Sequence, residues 1–259
     1  MGRRSHASAL HVWMNGELVG LWRVRPGAEP EFRYAASWLS SDSARPLSLS
    51  LPLLPETQAH RGSSVTFFFD NLLPDNAEIR ARIQSRFGTD TTNAFDLLAA
   101  VGRDCVGAVQ LLPEGDVPTA LHQVDGDTLT DAEVEQALLH TVGPRFGRGD
   151  DVEFRISLAG AQEKTAFLRH EGRWKRPRHT TPTTHIFKLP MGQSPTLDLS
   201  TSVENEWLCH QVLRSLEVPV AHCEMAHFGS QRVLVVERFD RRWSPDGSRL
   251  LRLPQEDMC

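Results

Sequence analysis

The sequence predicts an α+β fold in which a β-rich N-terminal subdomain with helices precedes a lobe made of an antiparallel sheet and one main helix. Three observations predict this division. Hairpin and helix signals follow each other up to about residue 112, the chain then turns polar and Gly/Pro-bearing over 114–151, and strand patterns with turns dominate after residue 154. We place the boundary near residue 145, so the predicted domains are 1–145 and 146–259.

The N-terminal subdomain opens with a predicted hairpin. Strand-like residues 11–14 and 17–22 flank an Asn-Gly pair, which supplies the positive φ angles of a type I′ turn. Residues 47–51 alternate apolar and polar side chains, which is the period of a half-buried strand. The remaining predicted elements of this subdomain are a strand at 32–34, helices over 65–72, 77–87 and 95–100, and a strand over 106–112.

The second part of the chain is predicted to be a sheet accompanied by one long helix. This helix is expected over 201–216, because Thr201 and Glu204 fit a capping box at its start and apolar residues recur along it at a spacing of four. A shorter helix, over 131–140, falls in the polar connection before the sheet. The predicted strands lie at 154–157, 165–169 and 185–189, with a further strand after a turn at 171–172 and a two-strand run that ends at residue 239.

Composition and charge limit the classes of function. A formal net charge of −5 over 259 residues gives no general attraction to nucleic acid or to an anionic membrane. No apolar run approaches the ~18 residues of a membrane span, and the first ten residues lack the apolar core of a signal peptide. The four cysteines are scattered, which suits a reducing compartment better than a disulfide framework. We therefore expect a cytoplasmic protein without membrane contact.

Two local clusters have ordinary interpretations that we favour. The adjacent Cys and His pairs at 209–210 and 222–223, with His227 nearby, lack the two-residue gap of a zinc knuckle, so unrelated helix and strand positions are favoured over a zinc site. The basic residues within 169–178 favour a solvated hairpin over a phosphate or protein contact.

A loop of small residues is the first candidate for contact with phosphate. At its centre, Ala159, Gly160 and Ala161 would let backbone N–H groups approach an anion closely. The loop matches neither the Walker pattern nor G-x-G-x-x-G. Taken alone, it therefore favours an ordinary loop between two strands.

Lys188 and Glu206 are the second candidate. Strand alternation puts Ile186 and Lys188 on one face. If that face is the concave one, the ammonium reaches inward, where a desolvated cation requires an anion such as a phosphate or a carboxylate. Glu206 lies in the first turns of the predicted helix and could hold this lysine extended, as a helix glutamate does in protein kinases. Glu204 lies on a different helix face. A surface lysine and a solvated glutamate are the ordinary alternatives.

The third candidate is an apolar strand over 233–239 that ends in Glu237, Arg238 and Phe239. In protein kinases the corresponding hinge holds the adenine edge of ATP through backbone groups, so position matters more than side-chain identity. The order of the elements favours a nucleotide-binding lobe, since a small-residue loop, a strand lysine, a helix glutamate and a hinge strand follow one another as they do in kinases.

These motifs occur in a chain that resembles the HipA toxins, which are serine/threonine kinases of bacterial type II toxin–antitoxin loci. The resemblance runs nearly from end to end, and its motifs are together highly specific. The similar stretches are 44–52, 68–75, 95–98, 102–108, 154–164, 181–185, 236–242 and 252–258.

The resemblance implies a coupling-like N-terminal subdomain and a kinase-like N-lobe, with the C-lobe absent. Ser157 matches the loop serine that the family autophosphorylates, an event that ejects the loop and inactivates the kinase. Lys188 matches a lysine that contacts phosphate. The other matching ATP-contacting residues are Ala159, Gly160, Ala161, Gln162, Glu163 and Lys164 in the loop and Glu237, Arg238 and Phe239 in the hinge.

The resemblance also implies the chemistry and the partners of the full-length family. With ATP and Mg²⁺, the γ-phosphoryl group passes to a serine of a protein substrate such as glutamyl-tRNA synthetase, which causes growth arrest and persistence. A HipB-like helix-turn-helix antitoxin is the implied partner, and DNA is met only through it.

The catalytic residues of the family have no assigned counterpart in this chain. No Asn follows Asn205, and neither a catalytic Asp nor magnesium ligands are assigned, so we expect no phosphotransfer by this chain alone. Two alternatives stay open. One is a non-enzymatic interaction module that binds an antitoxin or a separately encoded C-lobe, and the other is a remnant that folds poorly.

Overall fold

Two antiparallel sheets organise the protein in this computed structural model, which describes residues 8–119, 123–142, 157–160, 162–194 and 196–257. The predicted mixture of helices and antiparallel strands is confirmed, with six helices among the described residues. None of these six helices is long and apolar enough to cross a membrane.

The N-terminal subdomain contains a five-stranded sheet and four helices. Its strands are β1 (Ala9–Met14), β2 (Glu17–Arg23), β3 (Glu31–Tyr34), β4 (His60–Arg61) and β5 (Val109–Pro113). Its helices are α1 (Ala36–Leu39), α2 (Ser63–Asp70), α3 (Ala77–Phe87) and α4 (Ala94–Val101). The strands lie in the order β4-β3-β2-β1-β5, so the last strand returns to pair with the first.

The predicted hairpin of β1 and β2 is confirmed, and its turn has the expected conformation. Asn15 and Gly16 have φ angles of 47° and 90°. The core of the subdomain lies between this sheet and helices α2 and α4. There Trp22 stacks on Phe69, with ring centroids 3.9 Å apart, and meets Phe95 edge-on. Trp22 is the largest apolar side chain that the hairpin contributes to this core.

The prediction of a strand over 47–51 is wrong. The segment forms a turn, in which the Leu51 N–H donates to the Ser48 carbonyl at 3.0 Å. The Tyr34 hydroxyl accepts a hydrogen bond from the Leu47 N–H at 2.7 Å and donates one to the Leu51 carbonyl at 2.5 Å. One phenol therefore holds both ends of the turn, where Leu47 and Leu51 are buried. Leu49 between them is 73% exposed, so the alternating sequence does not mark one buried face of a strand.

The predicted helices of this subdomain are confirmed with small shifts of their ends. α3 has the predicted bounds, and the Asn76 side chain caps it by accepting hydrogen bonds from the Glu78 and Ile79 N–H groups. The strand predicted over 106–112 begins only at Val109. A turn precedes it, in which Gly107 has a φ of 69°.

The second part of the chain contains a six-stranded sheet with two helices and two separate hairpins. The sheet strands are β6 (Gly126–Thr128), β7 (Lys164–His170), β8 (Arg173–Pro177), β9 (His185–Lys188), β12 (Cys223–Phe228) and β13 (Gln231–Glu237). Their order is β12-β13-β9-β7-β8-β6. The hairpins pair β10 (Gly192–Ser194) with β11 (Leu197–Leu199) and β14 (Arg241–Trp243) with β15 (Leu250–Arg252). The helices are α5 (Asp131–Val142) and α6 (Ser202–Ser215).

Helices α5 and α6 cover opposite faces of the six-stranded sheet. Val134 and Leu138 of α5 share a core with Phe187 of β9. On the other face, Val203 of α6 packs with Leu234 of β13. The sheet is therefore accompanied by two helices, because the shorter helix that was assigned to the connection packs on it as well.

The predicted boundary between residues 145 and 146 lies outside the described residues, as do residues 154–156 of the strand predicted there. Strand β6, which precedes that boundary, pairs with β8. The second sheet therefore includes a part of the chain before residue 145. Ser157, the last residue of the predicted strand, lies in a loop.

Helix α6 begins without the predicted capping box. Thr201 makes no side-chain hydrogen bond at the cap, and the Glu204 carboxylate pairs with Arg232 Nη1 at 2.6 Å instead. The apolar residues that predicted the helix do not pack on the sheet. They are exposed along α6 and just beyond its C-terminal end: Leu208, Val212 and Leu216.

The segment around β15 lies against the N-terminal subdomain. At the tip of the β1–β2 hairpin, the Asn15 side chain donates to the Arg252 carbonyl and accepts from the Arg252 N–H, both at 2.9 Å. The Glu256 carboxylate accepts hydrogen bonds from the Ser48 hydroxyl and the Leu49 N–H, at 2.8 and 3.1 Å. These contacts place the end of β13 and the hairpin after it beside the N-terminal sheet.

Candidate functional site

Lys188 and Glu206 form an ion pair between the second sheet and α6. β9 alternates as expected, since Phe187 is buried in the core beneath α5 and Lys188 faces the side of α6. Lys188 Nζ donates to Glu206 Oε1 at 2.5 Å, and both side chains are partly buried. The helix carboxylate thus holds the strand lysine extended across this face of the sheet.

A second lysine lies directly opposite Lys188. Lys164 of β7 is its Cα partner in the antiparallel register. Burial, followed by the positive charge of Lys188, lowers the pKa of Lys164 to about 8, although Asp75 and Glu206 act in the opposite direction. Two of the three lysines in the chain are therefore cross-strand neighbours in the sheet. An anion bound between the two ammonium groups would relieve their repulsion.

Gly160 is required by the geometry of the loop before β7. Its φ of 98° lies in a region that side chains of other residues rarely allow, and a Cβ atom there would lie 2.8 Å from Lys164 Nζ. A larger residue at this position would therefore displace the ammonium. Ala159 is half-buried next to it. Ala161 lies outside the described residues, so its contact with ATP stays a prediction.

The side chains of Gln162 and Glu163 bind neighbouring parts of the protein. Gln162 Nε2 donates to the Leu189 carbonyl at 2.6 Å. The Glu163 carboxylate forms an ion pair with Arg82 of α3, and its carbonyl accepts the Leu189 N–H at 3.1 Å. The loop is therefore held both to the end of β9 and to the N-terminal subdomain.

Ser157 is buried where the loop meets the N-terminal subdomain. The residue is 1% exposed. Its hydroxyl donates to the Leu72 carbonyl at 2.5 Å, and its N–H donates to the Asp104 carbonyl at 3.0 Å. A phosphate group on this buried hydroxyl would displace the Leu72 carbonyl that the hydroxyl binds. Phosphorylation of Ser157 would therefore require the loop to leave this position first.

The predicted hinge presents two of its three side chains to solvent. Glu237 is exposed and Phe239 is 71% exposed, whereas Arg238 is 3% exposed. The N–H groups of Glu237 and Arg238 donate to the carbonyls of His222 and Thr184, each at 2.8 Å. The ring of Phe239 thus offers an apolar surface at the end of β13, while the Arg238 side chain points into the protein.

A buried ion cluster, which no sequence motif predicted, joins the two parts of the chain. Its members are Asp104, Arg238, Asp240, Arg241 and Arg252. Asp104 pairs with all three arginines at 2.9 to 3.4 Å. Burial alone would raise the pKa of Asp104, but the three positive charges overcome it and hold this pKa well below its usual range. All five members fall in the stretches 102–108, 236–242 and 252–258, which resemble the HipA toxins. That resemblance was the one sequence feature that could have pointed to these residues.

Metal ligands are not assigned on the part of the chain that the structure describes. Within it, no group of three or more His, Cys, Asp or Glu side chains could hold a metal ion. Cys209 is exposed on α6, whereas Cys223 is buried on β12.

The basic hairpin of β7 and β8 is partly neutralised by its neighbours. Arg169 lies 3.7 Å from the Glu224 carboxylate, and its guanidinium sits over the Trp174 ring at 5.2 Å. Arg178 Nε pairs with Asp127 at 2.8 Å. These contacts agree with the favoured interpretation of a solvated hairpin.

Comparison with known families gives two matches along the chain. A profile described as HipA N-terminal domain matches residues 10–112. A profile described as HipA-like C-terminal domain matches residues 156–259. Because the second match carries that description, the predicted absence of a C-lobe is not confirmed.

Individual relatives match most of this chain. One relative is Y4mE of Sinorhizobium fredii, a protein named as a kinase by inference. It is 32% identical over 253 residues, which are 96% of this chain and 58% of that protein. The serine/threonine-protein kinase toxin HipA of Shewanella oneidensis is 28% identical over 228 residues, or 87% of this chain and 48% of that protein.

A solved structure shares the fold. It is the complex of HipA, HipB and operator DNA from Shewanella oneidensis MR-1, which matches with a TM-score of 0.69 and 27% identity over 94% of this chain and 53% of that chain. The chain thus spans about half the length of the relatives it matches. The two profiles, the relatives and the shared fold confirm the resemblance inferred from the motifs, and the chain belongs to the HipA family.

Proposed function

We propose that this chain forms the nucleotide-binding part of a HipA-type serine/threonine protein kinase. The observation that carries the proposal is the facing pair of Lys164 and Lys188, with Lys188 held by Glu206. In protein kinases a strand lysine paired with a helix glutamate contacts the phosphates of ATP beneath a small-residue loop. In this chain the strand lysine is Lys188, the helix glutamate is Glu206, and the small-residue loop around Gly160 lies next to Lys164.

Each segment has its own task in the proposed site. The ammonium groups of Lys164 and Lys188, together with N–H groups of the loop, neutralise the phosphate oxygens of ATP. The hinge holds the adenine edge by backbone groups other than the N–H groups of Glu237 and Arg238, which bind the His222 and Thr184 carbonyls. The exposed ring of Phe239 supplies an apolar contact. Kinases also use Mg²⁺ to neutralise the phosphates, for which no protein ligand is assigned on the described residues.

In a complete HipA-type kinase, the γ-phosphoryl group would pass from ATP to a serine hydroxyl of a protein, for which glutamyl-tRNA synthetase is our proposed substrate. No described residue is assigned as the base that orients this hydroxyl. We therefore expect this chain alone to bind ATP without transferring phosphate. Incubation with radiolabelled ATP, magnesium and the synthetase tests this expectation, and robust turnover would contradict it.

A HipB-like antitoxin is the proposed protein partner, and DNA would be met through it. The support is the fold shared with the Shewanella oneidensis HipA chain, whose structure also contains HipB and operator DNA. The net charge of −5 gives the chain itself no general attraction to DNA, which agrees with indirect contact.

A non-enzymatic interaction module is the second candidate function. The apolar stripe of α6 favours it, because Leu208, Val212 and Leu216 are 56%, 50% and 66% exposed. A contiguous exposed apolar surface suits contact with another protein, such as a separately encoded C-lobe. Co-purification with such a chain, lost in Val212→Asp, would support this function.

Isothermal titration with ATP and magnesium tests the leading proposal directly. Lys188→Ala removes the proposed phosphate contact, whereas Lys175→Ala removes the third lysine, which lies on β8. We expect Lys188→Ala to weaken ATP binding about tenfold or more and Lys175→Ala to change it by less than about twofold. Absence of binding to the wild-type chain, or equal affinity of all three proteins, would contradict the proposal.

A further inference from the structure

Asp104 lies where the segments of the proposed nucleotide site meet the N-terminal subdomain. It follows α4 and is 3% exposed. Its carbonyl accepts the Ser157 N–H at 3.0 Å. The backbone of Asp104 therefore holds the start of the small-residue loop, three residues before Gly160.

The Asp104 carboxylate also holds the segment that enters β9. Thr183 donates to its Oδ2 atom twice, from the N–H at 3.0 Å and from the hydroxyl at 2.7 Å. Thr183 comes shortly before His185, at which β9 begins, and β9 carries Lys188. The position of Lys188 therefore depends on a contact made by the N-terminal subdomain.

The same carboxylate contacts the residues around the hinge. Asp104 Oδ2 lies 3.4 Å from Arg238 Nη1, and its Oδ1 lies 2.9 Å from Arg241 Nη2. Arg238 and Asp240, which pair with each other at 2.7 Å, are the two neighbours of Phe239 in the chain. Since both neighbours are buried and held, the Phe239 ring is directed outward.

Loss of the charge on Asp104 would leave excess buried positive charge. The cluster contains three arginines and two aspartates, so neutralising Asp104 leaves three cations against one anion. Arginine stays protonated at neutral pH, and a buried cation without its partner is strongly unfavourable. Arg238 and Arg241 would have to move toward water, and the hinge would move with them.

We propose that Asp104 is a positioning residue for nucleotide binding, which acts through the loop, β9 and the hinge. The N-terminal subdomain is then a structural part of the nucleotide site. The effect on affinity rests on the proposed ATP binding, whereas the effect on the hinge rests on the contacts of Asp104 alone.

Asp104→Asn tests the inference, because it keeps an oxygen for Thr183 and removes the charge. Tyr34→Phe is the matched control, since it removes buried hydrogen bonds of the same subdomain away from the hinge. The double variant Asp104→Asn/Arg252→Gln restores the net charge of the cluster if the single variant does not fold. For each protein, the melting temperature, amide hydrogen exchange over residues 237–241 and the dissociation constant for ATP are measured.

We expect Asp104→Asn to speed amide exchange over residues 237–241 about tenfold and to weaken ATP binding about tenfold. Both effects are measured against Tyr34→Phe, which should lose a similar amount of melting temperature. The double variant should relieve both effects only in part, because it restores the net charge while Arg238 and Arg241 still lack their contacts with the Asp104 carboxylate. Hinge exchange equal to that of the control would overturn the inference, whether or not ATP binds. Full recovery in the double variant would also overturn it, because net charge would then explain the effects.

The proposed nucleotide-binding function and the proposed role of Asp104 are contradicted by different results. Faster hinge exchange, with no ATP binding by the wild-type chain, would support the role of Asp104 at the hinge and overturn the proposed nucleotide-binding function. Wild-type ATP affinity in Asp104→Asn, together with faster hinge exchange, would overturn the effect on affinity and leave nucleotide binding intact.

Discussion

Lys164 is a residue of the proposed site whose pKa is lowered by its surroundings. Burial and the charge of Lys188 lower this pKa from 10.5 to about 8. In the unfolded chain the residue keeps its ordinary pKa, so between these two values the unfolded chain binds more protons than the folded one. The stability contributed by Lys164 therefore rises with pH across this window, and it is lost as the pH falls through 8.

The variant Lys164→Met isolates this titration, because it removes the charge and keeps most of the apolar chain. Urea unfolding of both proteins between about pH 7.5 and pH 10 measures the difference in unfolding free energy. The difference should change in favour of the wild type as the pH rises. A difference that does not depend on pH would contradict the shifted pKa.

Substitutions at Ser157 should separate a lost hydrogen bond from a displaced loop. Ser157→Ala loses the bond to the Leu72 carbonyl, which costs about 1 kcal/mol. Ser157→Asp buries a carboxylate at a position that is 1% exposed, so it should cost several kcal/mol, roughly 3 or more, and expel the loop. Urea unfolding and limited proteolysis near residue 157 are the measurements, with exposed Ser37→Asp as the control. Wild-type resistance to protease in Ser157→Asp would contradict the buried position.

At the scale of elements, the sequence predicted correctly the turns and helices whose conformation depends on neighbouring residues in the chain. The turn at Asn15 was predicted from two adjacent residues, and it forms. Helix α3, which Asn76 caps, was predicted with its observed bounds. The segment 47–51 shows the opposite case, because the Tyr34 hydroxyl, a tertiary partner, sets its conformation. The capping box failed for the same reason, since Glu204 pairs with a residue of β13.

The link between α6 and β9 predicts a contrast between two glutamates of one helix. Glu206→Gln removes the charge that holds Lys188, and we expect it to weaken ATP binding about tenfold. Glu204→Gln removes the partner of Arg232, so it should leave the affinity within about twofold. Titration calorimetry of the two variants checks the contrast. Equal effects would mean that α6 contributes to binding only through its general stability.

At the scale of the whole molecule, the order of the site segments was predictable, but their contacts were not. The register of β7 against β9, which brings Lys164 opposite Lys188, is not encoded in any local pattern. The ion cluster was still less accessible, since Asp104 binds arginines that are 134 to 148 residues away in the chain. Charged residues are mostly exposed, so a sequence pattern does not single out the five that are buried.

The three lysines of the chain allow a direct test of the central claim that the second sheet binds the phosphates of ATP. An ATP derivative with an acyl group on its terminal phosphate reacts when a neutral lysine amine attacks the acyl carbonyl, forms an amide and releases ATP. Lys164 is suited to this reaction because its pKa of about 8 leaves part of it neutral near pH 8.

Mass spectrometry of the labelled chain then reports which lysine carries the amide. If ATP phosphates lie between Lys164 and Lys188, one of these two lysines is labelled and excess ATP prevents the labelling. Lys175 should be labelled little. Labelling of all three lysines to the same extent, or labelling that excess ATP does not reduce, would contradict it.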